Sequence, residues 1–347
     1  MESRFEEKIT YENVIGRRKK SHVFKPFEIA RLAGERILIT GAGGSIGSRI
    51  ASLLSEIPGI TLLATDRDES ALHSLSLELS ASALFENNEF ALMDIRDAVG
   101  VRKMIESFKP TLVLHAAALK HLSVLERQPR EATLTNVLGT MCVINECIAA
   151  GVKSFVNIST DKAALPTSVL GHSKHLGEIY TAHVRRKYSI SFTSCRFGNV
   201  FNSRGSVIET FSRQMRTGAA ITLTSNEVTR YFMHTDEAAF LSIQTHLLSN
   251  ADVHVFNMGE PVKLIELAIR MKEQLQSDSQ IVVTGLRKGE KLQEDLIEPF
   301  TIIKSTVHPM IQALDFNIDY IKNCRKTLDM LAIGSEEEIT NFLVQNV

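Results

Sequence analysis

The sequence contains no run of about 18 apolar residues, so no segment is expected to span a membrane. Its N-terminus is charged and has no apolar stretch behind it, so no secretory signal is expected and a cytoplasmic location is inferred. Neither sign of charge prevails. With 39 Lys and Arg against 40 Asp and Glu the formal net charge is -1. That removes any global electrostatic case for nucleic acid or an anionic membrane. The one basic run, Arg17-Arg18-Lys19-Lys20, is short and reads as a solvated face. Cysteine is scarce. Cys142, Cys147, Cys195 and Cys324 show no metal-ligand spacing, and Cys142 and Cys147, five apart in a helical pattern, do not share a face. They read as reduced thiols, and no metal is expected. Internal repeats and low-complexity segments are also missing.

What is present is ordinary for a globular chain: 347 residues, 44% hydrophobic and 23% charged. That is enough for one large α/β domain or two intimate ones with a sizeable core. Residues 1–34 are polar and irregular and read as an N-terminal arm. From residue 35 strands and helices alternate. Strands are expected at 36–40, 61–65, 90–93, 112–115, 154–159 and 191–197, and helices at 45–54, 69–80, 101–108, 130–150 and 173–188. Apolar strands alternating with helices predict a doubly wound, Rossmann-type parallel sheet over residues 35–198. After about residue 199 the pattern loosens, with a short strand at 220–223 and helices at 235–248 and 264–275. Residues 199–347 are therefore expected to form mainly a smaller substrate-binding part, interleaved with the first.

The segment Gly41-Ala-Gly-Gly44-Ser45-Ile46-Gly47 follows a strand and opens a helix. Glycine suits a tight turn that must approach a pyrophosphate, and the helix N-terminus offers free N–H groups and a positive dipole end. Asp66, at the end of the second strand, can accept from the adenosine ribose hydroxyls and repels a 2′-phosphate. Arg67 beside it could instead welcome that phosphate, so NAD is preferred to NADP without NADP being excluded. Asp94 is a candidate for the adenine amino group or a helix N-cap.

Seven motifs then occur in order: Gly41–Ser48, His115-Ala116-Ala117-Ala118-Leu119-Lys120-His121, Ser159–Ala163, Arg196–Val200, Ser203–Val207, Thr229–Met233 and Gly289–Leu292. Together with Lys174 in a helix after the fifth strand, they resemble extended short-chain dehydrogenases, and most closely the UDP-N-acetylglucosamine 4,6-dehydratases of CapD-like polysaccharide biosynthesis. Val14-Ile-Gly-Arg17 resembles the segment that precedes the catalytic domain in large, membrane-anchored members. The resemblance implies that Asp94, Ile95, Ala116, Ala117, Ala118 and Lys174 complete the cofactor site. It implies Thr160, Asp161, Lys162 and Lys174 as the catalytic set, with Asp161 and Lys162 the acid and base of the elimination. Lys120, His121, Asn199, Arg204, Arg230, Arg287 and Glu290 would hold a UDP-sugar. Arg suits the diphosphate through its planar fork. Glu290 would meet the second ribose, and Arg230 could equally be an ion pair of the core. The superfamily's Tyr, four residues before the Lys, is replaced by Leu170, which can neither donate nor accept a proton. Large members of the family resemble this in carrying Met there.

On this reading Lys162 with a depressed pKa removes the C5 proton, and Asp161, kept protonated by burial, serves the departing C6 hydroxyl. His172 is a nearby ionisable group expected to point off the relevant helix face. Two other functions stay open. One is a nucleotide-sugar C4 or C5 epimerase, which needs the same cofactor. The other is a non-catalytic, NAD-bound regulatory protein, favoured by Leu170 and disfavoured by the retained Asp161 and Lys162. A homo-oligomer is expected, pairing through helices 130–150 and 173–188, the latter carrying Leu176, Ile179, Tyr180 and Val184 at helical spacing.

Overall fold

Ile37 and Ile39 pack on one face of a sheet and Leu38 on the other, and all three are fully buried. The same alternation recurs at Leu112, Val113 and Leu114, and at Phe155 and Val156. A strand covered on both sides cannot be polar on either, so these segments read as continuous apolar runs. A computed structural model of the chain describes residues 9–20, 22–80, 89–248, 251–317 and 334–346, with Asp319, Tyr320, Cys324, Lys326, Thr327, Asp329 and Leu331 between the last two stretches. In it the runs become β1 (Arg36–Thr40), β2 (Thr61–Asp66), β3 (Phe90–Leu92), β4 (Leu112–His115), β5 (Ser154–Ile158) and β6 (Ser191–Arg196). All are parallel, in the spatial order β3-β2-β1-β4-β5-β6. The order reverses between β1 and β4, which opens a crevice at their carboxyl ends.

The sheet does not stop at β6, where the sequence reading ended it. β7 (Val253–Phe256) joins β6 in parallel, and the hairpin of β8 (Thr301–Ser305) and β9 (Ile311–Phe316) adds two antiparallel strands, with β8 at the edge. The Thr235–Leu247 helix packs on the Ser45–Ser55 helix over one face. The two halves are thus interleaved in space as well as in sequence. The other face is covered by Ala98–Phe108, the helical run Pro129–Ala149 and the Val169–Tyr188 helix. Pro129–Ala149 is apolar and long enough to cross a membrane by length and composition, but 61% of its most apolar window is buried inside the fold.

A second core joins the helices Val207–Arg216 and Leu264–Leu275 to short paired strands, among them Ile221–Leu223 with Ile281–Val283 and Asn199–Val200 with Phe232–Met233. The arm belongs to both cores: Tyr11, Val14 and Ile15 are buried in the second, Leu32 in the first. At the other end the Glu336–Gln345 helix, opened by a Ser335 capping box, buries Ile339 and Leu343 against Val137, Met141, Leu170 and Leu176. Of the stripe expected to meet a second copy, Leu176, Ile179 and Val184 are buried within a single chain, the first under this helix and Ile179 beside Cys324, and Tyr180 is half-buried.

Candidate active site

The turn after β1 is shaped by close packing. Gly41 has φ +70, and a Cβ on it would lie 2.5 Å from the Ala117 nitrogen; one on Gly47 would lie 2.2 Å from the Gly41 carbonyl oxygen. Gly44 differs: its nearest neighbour would be 3.2 Å away. Gly44 is also the N-cap of the Ser45–Ser55 helix and caps it with no side chain, which leaves the first N–H groups of that helix for a ligand. The Asp66 carboxylate accepts from the Gly43 N–H at 2.9 Å and from the Asp68 N–H at 3.0 Å, tying the end of β2 to the loop. Gly41, Gly44, Asp66, Arg67, Asp94, Ile95, Ala116, Ala117 and Ala118 line one cleft, joined by Thr65, Met93, Leu119 and Thr135. Ser45, Ile46 and Gly47 begin the helix beside it. Asp94 is not the N-cap of the next helix, which is Asp97. Arg96 grips the Asp94 carboxylate at 2.6–3.0 Å and holds its pKa below the usual range.

Thr135 was not anticipated. It and Asn136 lie in a stretch of π-helix, Thr133–Gly139, inside the run expected as plain α-helix. Such widened turns often serve sites, because they redirect side chains. The buried Thr135 hydroxyl has no hydrogen-bond partner among the described residues. Asn136 donates to the Leu119 carbonyl at 3.0 Å and to Ser173 Oγ at 3.0 Å, and accepts from the Leu119 N–H at 2.8 Å. It thereby binds the loop after β4 to the helix that carries Lys174. The open Gly44 turn, the uncapped helix and the orphan Thr135 hydroxyl fit a dinucleotide cofactor in this cleft.

Past the end of β5 the chain makes one tight turn, Asp161–Ala163, capped by Thr160. Thr160 Oγ1 donates to Asp161 Oδ1 at 2.9 Å, and Lys162 Nζ reaches the same oxygen at 3.0 Å. Asp161 is fully buried, whereas the Lys162 side chain keeps 19% of its exposure. Asp161 Oδ2 has no hydrogen-bond partner among the described residues, and a Cβ on Gly198 would stand 2.9 Å from it. The sequence reading also missed Glu294, buried and 3.6 Å from Lys162 Nζ. Burial alone would lower the Lys162 pKa, but the charges of Asp161 and Glu294 outweigh it and raise the value. This reverses the expected depression and makes Lys162 an ammonium at neutral pH.

Lys174 behaves the other way. Burial pushes it down to about 8, with Glu178 and Cys195 pulling weakly upward. Gly171 approaches the Lys162 carbonyl so closely that a Cβ would be 2.4 Å from it, which fixes this helix against the Asp161–Ala163 turn. Leu170 is buried in the apolar cluster under the C-terminal helix. His172 bonds the Asn346 carbonyl at 2.6 Å, away from the cleft, as its helix position predicts. His175, Glu178 and Glu298 stand close enough to share an ion, but the buried Arg196 guanidinium already takes both carboxylates at 2.5–3.2 Å.

The residues proposed for the sugar nucleotide separate. Arg230 is buried and paired with Glu290 at 3.4 Å and Glu294 at 3.7 Å. Glu290 also accepts from Thr224 at 2.9 Å and from the Arg287 N–H at 3.3 Å. Both are therefore engaged in holding the loop that carries Arg287. The Arg287 side chain is exposed in a groove of about 620 Å³ with Ser123, Val124, Arg127 and Gln128. Asn199 is half-buried on its short strand. Lys120 keeps an exposed surface, yet burial first and the Arg204 charge second lower its pKa. The ring of His121 packs on Gly205. Arg204 lies over the glycine loop, its N–H on Ser45 Oγ at 3.1 Å and its guanidinium 3.5 Å from the Gly43 carbonyl.

Known proteins resemble this chain in sequence and in fold. A family described as polysaccharide biosynthesis protein matches residues 37–315. The capsular polysaccharide biosynthesis protein CapD of Staphylococcus aureus is 38% identical over 286 residues, 80% of this chain and 47% of that protein. The chain thus spans about half the length of this curated relative. The UDP-glucose 4-epimerase of Rickettsia rickettsii (strain Sheila Smith) is 32% identical over 279 residues, 78% of this chain and 79% of that one. Among solved structures, Pen from Bacillus thuringiensis superposes with a TM-score of 0.73 at 29% identity, covering 83% of this chain and 91% of its own. DesIV, a dTDP-glucose 4,6-dehydratase from Streptomyces venezuelae solved with NAD and TYD bound, shares the fold: TM-score 0.65, 21% identity, 76% and 88% covered.

Proposed function

The chain belongs to the polysaccharide biosynthesis protein family, and from that premise we propose that it is an NAD-dependent nucleotide-sugar 4,6-dehydratase. Its substrate is UDP-N-acetylglucosamine and its product a 4-keto-6-deoxy sugar nucleotide for surface polysaccharide or glycoconjugate. One observation carries the reading. A partly exposed Lys162, paired to a buried Asp161, stands at the carboxyl end of β5, while the position four residues before Lys174 is Leu170. A C4 epimerase acts on one carbon and needs one acid–base station. A dehydratase must also serve C5 and C6, and Asp161–Lys162 suits that work; with Leu170 at the usual position, the Thr160–Asp161–Lys162 group serves C4 as well.

Bound NAD would supply the place where the C4 hydrogen goes as hydride and from which it returns at C6. The protein's residues handle the protons. Two leave the sugar, from the C4 hydroxyl and from C5. Two return, one with the C6 hydroxyl as water and one to C5. Lys162, kept protonated by Asp161 and Glu294, is the donor to the departing C6 hydroxyl. The Thr160–Asp161–Lys162 group then takes up the protons released, so it ends as it began. Lys174 orients the nicotinamide ribose and biases nearby groups by its charge. Asp66 and Asp94 hold the adenosine end, with Asp66 favouring NAD over NADP. Arg287 with Arg127 suits the sugar nucleotide's diphosphate, and Lys120, His121 and Asn199 face the sugar between the two nucleotides.

The test is incubation with UDP-N-acetylglucosamine followed by mass spectrometry of the nucleotide sugar. Loss of one water supports the reading, and an unchanged mass sinks it. The second reading, an epimerase, is favoured by the Rickettsia relative's name and similarity. It would give the inverted sugar at unchanged mass.

A further inference from the structure

The glycine loop has a feature that a pyrophosphate site cannot ignore. From Gly41 to Ser48 it contains no cationic side chain, so backbone N–H groups and the helix dipole alone face two phosphates. The missing charge comes from the other half of the molecule. The loop Ser203–Ser206 crosses from the substrate part and docks at two points. The Arg204 N–H donates to Ser45 Oγ at 3.1 Å, in the first turn of the cofactor helix. On the opposite side Gly205, at φ +69, lies so near the His121 ring that a Cβ would be 2.4 Å from it. Between these anchors the Arg204 guanidinium reaches the Gly43 carbonyl at 3.5 Å, with Asp68 3.9 Å away. Its side chain remains 67% exposed, and the loose pair with Asp68, itself exposed, leaves guanidinium donors for a ligand.

We propose that this loop is a cofactor clasp. Arg204 takes the dinucleotide pyrophosphate against the open N-terminus of the Ser45–Ser55 helix, so bound NAD can leave only when the substrate part lifts its loop. The assignment moves Arg204 from the sugar nucleotide, where its motif put it, to the cofactor. It also gives the two halves a shared task. Release of the cofactor then depends on a segment of the substrate part, which suits a cycle that regenerates its cofactor and gains nothing by losing it. The inference rests on NAD being the cofactor and not on which sugar reaction follows.

The test is the rate at which the protein exchanges bound NAD for isotopically labelled NAD, in the absence of any sugar nucleotide. Arg204→Ala should speed release about 10- to 100-fold, the range for a lost charge-assisted hydrogen bond. Arg204→Lys should restore part of it. The remaining release should depend less on salt, because an exposed charge contact is gone. Affinity for UDP alone, by calorimetry, should not change. Gly205→Ala, which forces the loop off His121 with Arg204 intact, should speed release as well. NAD release at the wild-type rate in either variant overturns the proposal. So does a weakened UDP affinity with NAD release unchanged in Arg204→Ala, which would return Arg204 to the sugar nucleotide.

Discussion

Replacing Lys174 with Met should make the cofactor-free protein more stable, not less. The ammonium is buried and its pKa is lowered from 10.5 to about 8. A gap of that size corresponds to about 3 kcal/mol of cost for keeping the charge in the folded state. Local relaxation reduces it, so about 1–3 kcal/mol is expected on removal. Met keeps most of the apolar stem, and Glu178 retains Arg196 at 2.5 Å, so no buried carboxylate is stranded. The pH dependence follows from linkage. Between pH 8 and about 10.5 the unfolded chain still holds the Lys174 proton and the folded chain has lost it. Wild-type stability therefore rises relative to the variant across that window, and below about pH 8 the full cost is present. Urea unfolding of NAD-stripped protein at pH 7 and pH 9.5 measures this. The variant should be more stable at pH 7, and the gap should narrow at pH 9.5. Equal or lower stability of the variant at pH 7, or a gap that ignores pH, would refute the reasoning. If Lys174 orients the nicotinamide ribose as proposed, the same variant should bind NAD more weakly.

Lys162→Met or Asp161→Asn should slow dehydration by roughly a hundredfold or more while NAD stays bound, measured by turnover and by dinucleotide released on denaturation. Leu170→Met should leave turnover unchanged and shift stability by less than about 1.5 kcal/mol, because both side chains are inert and similar in volume. A catalytic requirement at that position would show as lost turnover. Gly47→Ala puts a Cβ 2.2 Å from the Gly41 carbonyl oxygen and should yield protein without NAD. Ile339→Ala and Leu343→Ala should each cost about 2–4 kcal/mol in urea unfolding, since both side chains are fully buried at the chain's end.

β1, β4 and β5 are legible in the sequence because apolar residues fill both of their faces, and the turn after β1 because glycine there answers to backbone crowding. β8 and β9 are not. Ile302 and Ile303 are half-exposed on an edge strand, so the local pattern carries no sign of burial. The Glu336–Gln345 helix follows a stretch without clear periodicity, and its Ser335 cap is the one local signal. In the site, Asp161 and Lys162 announce themselves by adjacency. Glu294 does not, since only folding brings it to Lys162, and without it the sign of the Lys162 shift cannot be read. Arg230 and Glu290 look like ligand groups in sequence and find each other in space. Thr135 and Asn136 are hidden by the π turn, which shifts side chains off the positions that a 3.6-residue period assigns.

The arm between residues 9 and 34 has a mechanical consequence. Tyr11, Val14 and Ile15 are sunk in one core and Leu32 in the other. Between them Arg17 grips the Phe232 and Met258 carbonyls, and Lys19 joins Arg49 on Asp236. A hinge rotation that parted the halves would have to extract at least one of these anchors, at about 1.5–3 kcal/mol for each large apolar side chain. Traffic through the cleft is cheaper by local flexing of surface loops, on nanosecond to microsecond times, than by millisecond gaping of whole lobes. The arm works as a strap that makes two lobes breathe as one.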